Sequence, residues 1–152
     1  SSGPAQDLTH QNDGRARAGR PMLSTRVEFT MAHDRLFLID PGFEVTGRDD
    51  GPFVCPFCNQ IEGLLASFPQ LSLDIEVVRV AFPRPRQEVV ALVGEANQGL
   101  PLLILGDKPP GDARVHDGLH FVSDTERILE LLAERHRFPR LLRPAAGASK
   151  VA

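Results

Sequence analysis

The chain has no tryptophan, no tyrosine and only two cysteines in 152 residues, so nine phenylalanines supply all of its aromatic surface. Two cysteines exclude a secreted disulfide scaffold, which needs more of them spread along the chain. Long hydrophobic runs are also missing: the apolar stretches are short and interrupted, and none is long enough to span a bilayer. Basic clusters are missing too. The formal net charge is -3, with Lys and Arg scattered, and no basic stripe tracks a phosphate backbone, which argues against a nucleic-acid partner. What remains is the composition of one globular domain, with 41% hydrophobic residues to build a core.

The ends differ from the middle. "SSGPAQDLTHQNDGRARAGR" has no apolar periodicity, and Ser1-Ser2-Gly3 has the look of a tag remnant. Asp7, Asp13 and Glu28 weaken a transit-segment reading, and Met31 is a plausible natural start. The expectation is an extension over 1–32, a domain over 33–140 and a flexible tail over 141–152.

Within the domain the pattern alternates. "RLFLID" (Arg35 to Asp40) is an apolar run closed by Pro41-Gly42 and reads as a buried strand. After a long connection from Pro41 to Val54, Phe57, Ile61, Leu64, Leu65 and Phe68 fall on one helical face, which Pro69 ends. "LDIEVVRVAF" is a second strand. "RQEVVALVGEANQ" returns to helical spacing, with Gly99 closing it. "LPLLILGD" and "LHFVSD" are the third and fourth strands, with Asp107 to Gly118 as the turn between them. A final helix follows, with Ser123 and Glu126 in capping-box register. The order is β-α-β-α-β-β-α, an α/β sandwich around a four-stranded mixed sheet. The crossover helix makes the first two strands parallel, and the turn suits an antiparallel pair for the last two.

Both thiols lie in "CPFC", Cys55 to Cys58. The spacing suits a redox dithiol that opens and closes a disulfide over one turn. It also suits half of a zinc site. Pro56 at the first helical position needs no amide partner, which sets Cys55 at the helix start. Helix N-terminal C-x-x-C thiols fall in the range ~3.5 to 7.5, against about 8.5 for a free thiol. Cys55 is therefore the attacking thiol, and Cys58, one turn inward, the resolving one. For zinc, His116 and His120 supply an H-x3-H pair. The stretch between Cys58 and His116, however, is several times the ~12 to 15 residues of a compact finger. Solvated histidines beside a Gly-rich turn are the simpler account of that pair. Two thiols in one C-x-x-C point to a reducing compartment, with the cytoplasm as the default.

The element order, "CPFC" opening the first helix and "GLPLLIL" opening the third strand together resemble the thioredoxin/glutaredoxin fold. The string "IEGLLASFPQL", "VAFPRPRQEVVALVGEANQ", "TERILELLAERHRFPR" also resembles a family of small, uncharacterised bacterial thioredoxin-like proteins with a C-P-x-C motif. The resemblance spans about Arg35 to Pro139. It implies that Pro101 is a cis-proline facing the dithiol, and that Leu100 offers its backbone to an extended substrate. "HFVSDTERILELL" is similar to the segment in which glutaredoxins hold the γ-glutamyl end of glutathione, which assigns that role to Ser123 and Asp124. The Gly-Gly pair that glutaredoxins carry before that turn is absent here. The implied activity is thiol-disulfide exchange, with glutathione or a protein disulfide as partner and no metal or organic cofactor built in. A thioredoxin-fold binding module with a non-catalytic dithiol is the alternative from another class. Two further candidates come from the residues themselves. Arg84 and Arg86 could meet a carboxylate, although a solvated start to a helix explains them. Asp40 could serve as a buried acid in exchange, although a turn-forming Asp-Pro-Gly is the simpler account.

Overall fold

In the run Asp34–Ile39 (β1) every residue but Arg35 is buried, the pattern of a strand covered on both faces. The computed structural model describes residues 33–144; the expectations for 1–32 and for the end of the tail fall outside them. Side chains alternate across β1. Leu36 and Leu38 join one apolar cluster and Phe37 the other, as the two-residue period of a strand requires. Leu102–Leu105 (β3) repeats the device: Leu103 and Leu105 face the first cluster, Leu102 and Ile104 the second. Each such fully buried aliphatic side chain contributes roughly 1.5 to 3 kcal/mol.

Two helices fill the first cluster, Pro56–Ser67 (α1) through Cys58, Ile61, Leu64 and Leu65, and Thr125–His136 (α3) through Ile128, Leu129, Leu131 and Leu132. The short helix Gln87–Val93 (α2) supplies Val89 and Val93 to the second. The result is three layers, with α1 and α3 on one face of the sheet and α2 on the other. Ile75–Val80 (β2) runs parallel to β1, with Asp34 opposite Ile75 and Ile39 opposite Val80. β3 runs antiparallel to β1.

The sheet has five strands, not four. Its order is β2-β1-β3-β5-β4, where β4 is Arg114–His116 and β5 is Leu119–Val122. β4 lies inside the segment expected to be a turn. Its three residues are exposed or half-buried, so it shows no apolar alternation to read. The hairpin turn itself was legible: Asp117 and Gly118 form a two-residue loop with φ of 47° and 79°, the conformation that Asp-Gly favours.

Three local expectations also change. Phe57 points outward, 56% exposed, so the buried face of α1 begins at Cys58. α2 stops at Val93, not near Gly99: Gly94 turns the chain at φ 86° and ψ 161°, and the Asn97 side chain donates to the Val93 carbonyl at 2.8 Å. The cap of α3 is Asp124, whose carboxylate accepts from the Arg127 amide at 2.9 Å; Ser123 stands one residue too early.

The long connection after β1 is a pinned hairpin. Phe43 and Phe53 pair in an antiparallel bridge, and the Phe43 ring stacks on Phe82 beyond β2, with centroids 4.3 Å apart. On the far side, buried Asp34 accepts from Arg135 at 2.7 and 2.8 Å and from the Gly106 amide at 2.8 Å, with His136 Nε2 at 2.7 Å. This knot ties the end of α3 to the start of β1.

Candidate functional site: the Cys55–Cys58 turn

Cys55 is the N-cap of α1, with Pro56 in the first turn. Its carbonyl accepts the first helical bond from Asn59 at 2.8 Å. Its sulfur occupies the place that a capping oxygen takes elsewhere, accepting from the Cys58 amide at 3.3 Å. An otherwise unpaired amide at the positive end of the helix therefore points at Sγ. The Cys58 sulfur in turn accepts from the Ile39 amide at the end of β1, at 3.4 Å. Helix and strand thus each aim one N–H at the pair.

Both thiols are free and buried, Cys55 at 8% and Cys58 at 2% exposure. Burial pushes the Cys58 thiol up to about 12; the hydrogen bond with Cys55 and the charges of Cys55 and Glu62 act in the same direction, and the Ile39 amide opposes them. Cys58 therefore holds its proton at neutral pH. Exposed Val54 and Phe57 flank Cys55 in sequence.

Arg86 departs most from its sequence reading. It is not solvated: it is 5% exposed. Its Nε and Nη2 donate to the Phe82 carbonyl at 3.1 and 2.6 Å, and Nη1 donates to the Gln98 carbonyl at 2.8 Å. The Arg86 amide donates to the Gln98 side-chain oxygen at 2.7 Å. Burial, then the nearby charge of Arg84, lower the pKa of Arg86 from its ordinary value, while the anionic forms of Cys58 and Cys55 raise it. Gln98 escaped the sequence reading altogether, since no pattern marks a buried glutamine two residues before Leu100. Asp40 is exposed, so it is not the buried acid considered from the sequence.

Pro101 is buried, half-buried Leu100 touches both apolar clusters, and the bond joining them is cis. Val122 packs in the cluster that holds both cysteines. It also lines, with Phe121 and its neighbours Ser123 and Asp124, an open cavity of about 450 Å³ that Asp112, Arg114 and Arg127 complete. Neither cysteine lines it. His116 rests against Gly94, and among the described residues no three His, Cys, Asp or Glu side chains gather as a metal site would require.

Residues 33–140 match the model of the family described as protein of unknown function, DUF3088. The chain belongs to this family. No curated protein and no solved structure matches it. The DUF3088 match contains the dithiol, Arg86, Gln98, Pro101, Ser123 and Asp124. Among the described residues no helix is long and apolar enough to cross a membrane.

Proposed function

We propose that this DUF3088 chain is a thioredoxin-like thiol-disulfide oxidoreductase of the cytoplasm, closer to glutaredoxins in its chemistry, working through Cys55 and Cys58. The observation that carries this reading is the Cys55 sulfur at the N-cap of α1, facing a helix amide, with a proton-holding Cys58 one turn inward. The parallel β1–β2 pair and the antiparallel β3–β5 pair agree with the resemblance.

The thiolate of Cys55 attacks one sulfur of a substrate disulfide. A Cys55–substrate disulfide forms, and the other substrate sulfur leaves as a thiolate that takes up a proton. Cys58 then loses its proton and attacks Cys55 Sγ, forming the Cys55–Cys58 disulfide and releasing the second substrate thiol. Two electrons pass from the dithiol to the substrate. Two thiols of glutathione restore the dithiol and leave as glutathione disulfide. Ser123 and Asp124 hold the γ-glutamyl end, Leu100 and Pro101 the extended part of the substrate, and no metal or organic cofactor takes part.

The second reading, a binding module whose dithiol does no catalysis, draws on the low exposure of both sulfurs. Iodoacetamide at neutral pH, read by peptide mass spectrometry, separates the two. Exchange chemistry requires Cys55 to label faster than Cys58, Cys58→Ser to trap a mixed disulfide and Cys55→Ser to be inert. Absence of label on both thiols would establish the binding module.

A further inference from the structure

We infer that Arg86 is the counter-cation of the dithiol: its buried guanidinium, held by two backbone carbonyls, stabilises the negative charge that the Cys55–Cys58 pair carries during exchange. The inference rests on the exchange chemistry proposed above and assigns Arg86 a positioning role within it.

Arg86 combines burial with the lack of a carboxylate partner. Arg35, Arg48, Arg79, Arg127, Arg135 and Arg143 each meet a carboxylate. Arg86, the one buried arginine among the described residues, meets none. A guanidinium stays charged in a protein, and a buried charge is costly to leave without an opposite one. Carbonyl oxygens at Phe82 and Gln98 satisfy its hydrogen bonds but carry no net charge.

Its surroundings name the missing anion. The guanidinium lies over the Phe82 ring, 5.7 Å from the centroid, and Phe82 packs into the cluster that contains Cys55 and Cys58. The charged groups around the pair are few. Arg84, exposed and with no partner among the described residues, repels Arg86. Glu62 on α1 opposes an anion at Cys58, but it is tied to Arg79 at 2.6 and 2.9 Å. The sulfurs of the pair remain as the groups whose negative charge, when either ionises, can face Arg86, and each such charge acts on it attractively. By Coulomb's law a cation held near an ionising sulfur favours its anion. In the first step that charge sits on Cys55. In the second it passes to Cys58 as its proton leaves, and then returns to a leaving sulfur. A cation fixed by two backbone carbonyls serves each stage without moving.

The geometry also explains why arginine is needed. One fork spans the turn after β2, through Phe82, and the segment leading into Leu100–Pro101, through Gln98. Lysine brings the charge but cannot hold both carbonyls in this way.

The test uses the full reduced chain, with Arg86→Met and Arg86→Lys beside the wild type and far-UV circular dichroism to confirm folding. Arg86→Met should slow Cys55 alkylation at neutral pH by ~10-fold and move its pH profile about one unit upward. The dithiol potential should fall by ~30 mV, the equivalent of that tenfold change. Arg86→Lys should keep the greater part of the wild-type profile. A folded Arg86→Met variant with the wild-type profile and potential overturns the inference while leaving exchange chemistry standing. A wild type in which neither thiol alkylates overturns both. Should Arg86→Met not fold, the Arg86 Nε–H resonance of the wild type decides. It must shift as the dithiol ionises, and the shift must vanish in Cys55→Ser; a resonance indifferent to the dithiol overturns the inference.

Discussion

Replacing Asp34 with asparagine should cost the fold about 3 kcal/mol at neutral pH. The carboxylate is almost fully buried and gathers Arg135 through two N–H groups, the Gly106 amide and His136 Nε2, all between 2.7 and 2.8 Å. Burial by itself would raise its pKa; hydrogen bonds from His136, Arg135 and Gly106, with the charge of Arg135, outweigh burial and hold it well below the usual carboxylate range. Asparagine keeps the size, loses the charge and turns an NH2 group toward donors that had an acceptor. Removing one partner of a buried ion pair costs about 3 to 5 kcal/mol. The lower end applies here, because Arg135 keeps its bonds to the carbonyls of Asp107 and Lys108. At ~4 °C per kcal/mol for a domain of this size, the melting temperature should fall by about 12 °C. With no Trp or Tyr to report by fluorescence, far-UV circular dichroism is the assay.

The pH dependence has a definite sign. A carboxyl whose folded pKa lies below its unfolded value of about 3.9 contributes its full stability above that value and loses it as pH falls toward the folded one. The gap between wild type and Asp34→Asn should therefore be widest at neutral pH and shrink below about pH 4. A variant melting within about 2 °C of wild type at neutral pH would refute the argument.

Two further outcomes are expected. Gly94→Ala should destabilise by about 1 to 3 kcal/mol, because φ 86° with ψ 161° is a region open essentially to glycine alone. The new Cβ also lies 2.9 Å from the His116 ring, but a ring can move, so adding His116→Ala should not restore the melting temperature; recovery would place the cost in the ring contact. Asp124→Ala should cut glutathione-dependent turnover ~10-fold, the scale of one charge-assisted contact, and leave turnover with dithiothreitol unchanged. Because Asp124 also caps α3, about 1 kcal/mol of stability should go with it, and equal loss with both reductants would reduce its role to the cap.

Several features were legible in the residues alone because their causes are local. β-branched and leucine-rich runs between Pro and Gly mark β1, β2 and β3, and the spacing of Ile61, Leu64 and Leu65 marks the buried face of α1. Pro56 sets Cys55 at a helix start by stereochemistry that needs no distant partner. The Asp117-Gly118 hairpin belongs to the same class, a local signal, although β4 has no apolar alternation to accompany it. Other features could not be read this way. Ser123 and Asp124 are both good caps, and the choice between them depends on where β5 ends against β3. Arg84 and Arg86 are the same residue two positions apart in "PRPR". Only the packing of Phe82 against Phe43, and of Gln98 against the start of α2, leaves one in water and buries the other among carbonyls. Asp34 looks like a polar residue ahead of an apolar strand, yet Arg135 and His136, a hundred residues on, make it the centre of a buried ion network. Local periodicity and capping are short-range and written in neighbouring residues. The fate of a charge depends on which segments the whole fold brings to it, and the tertiary structure alone decided that for Arg86 and Asp34.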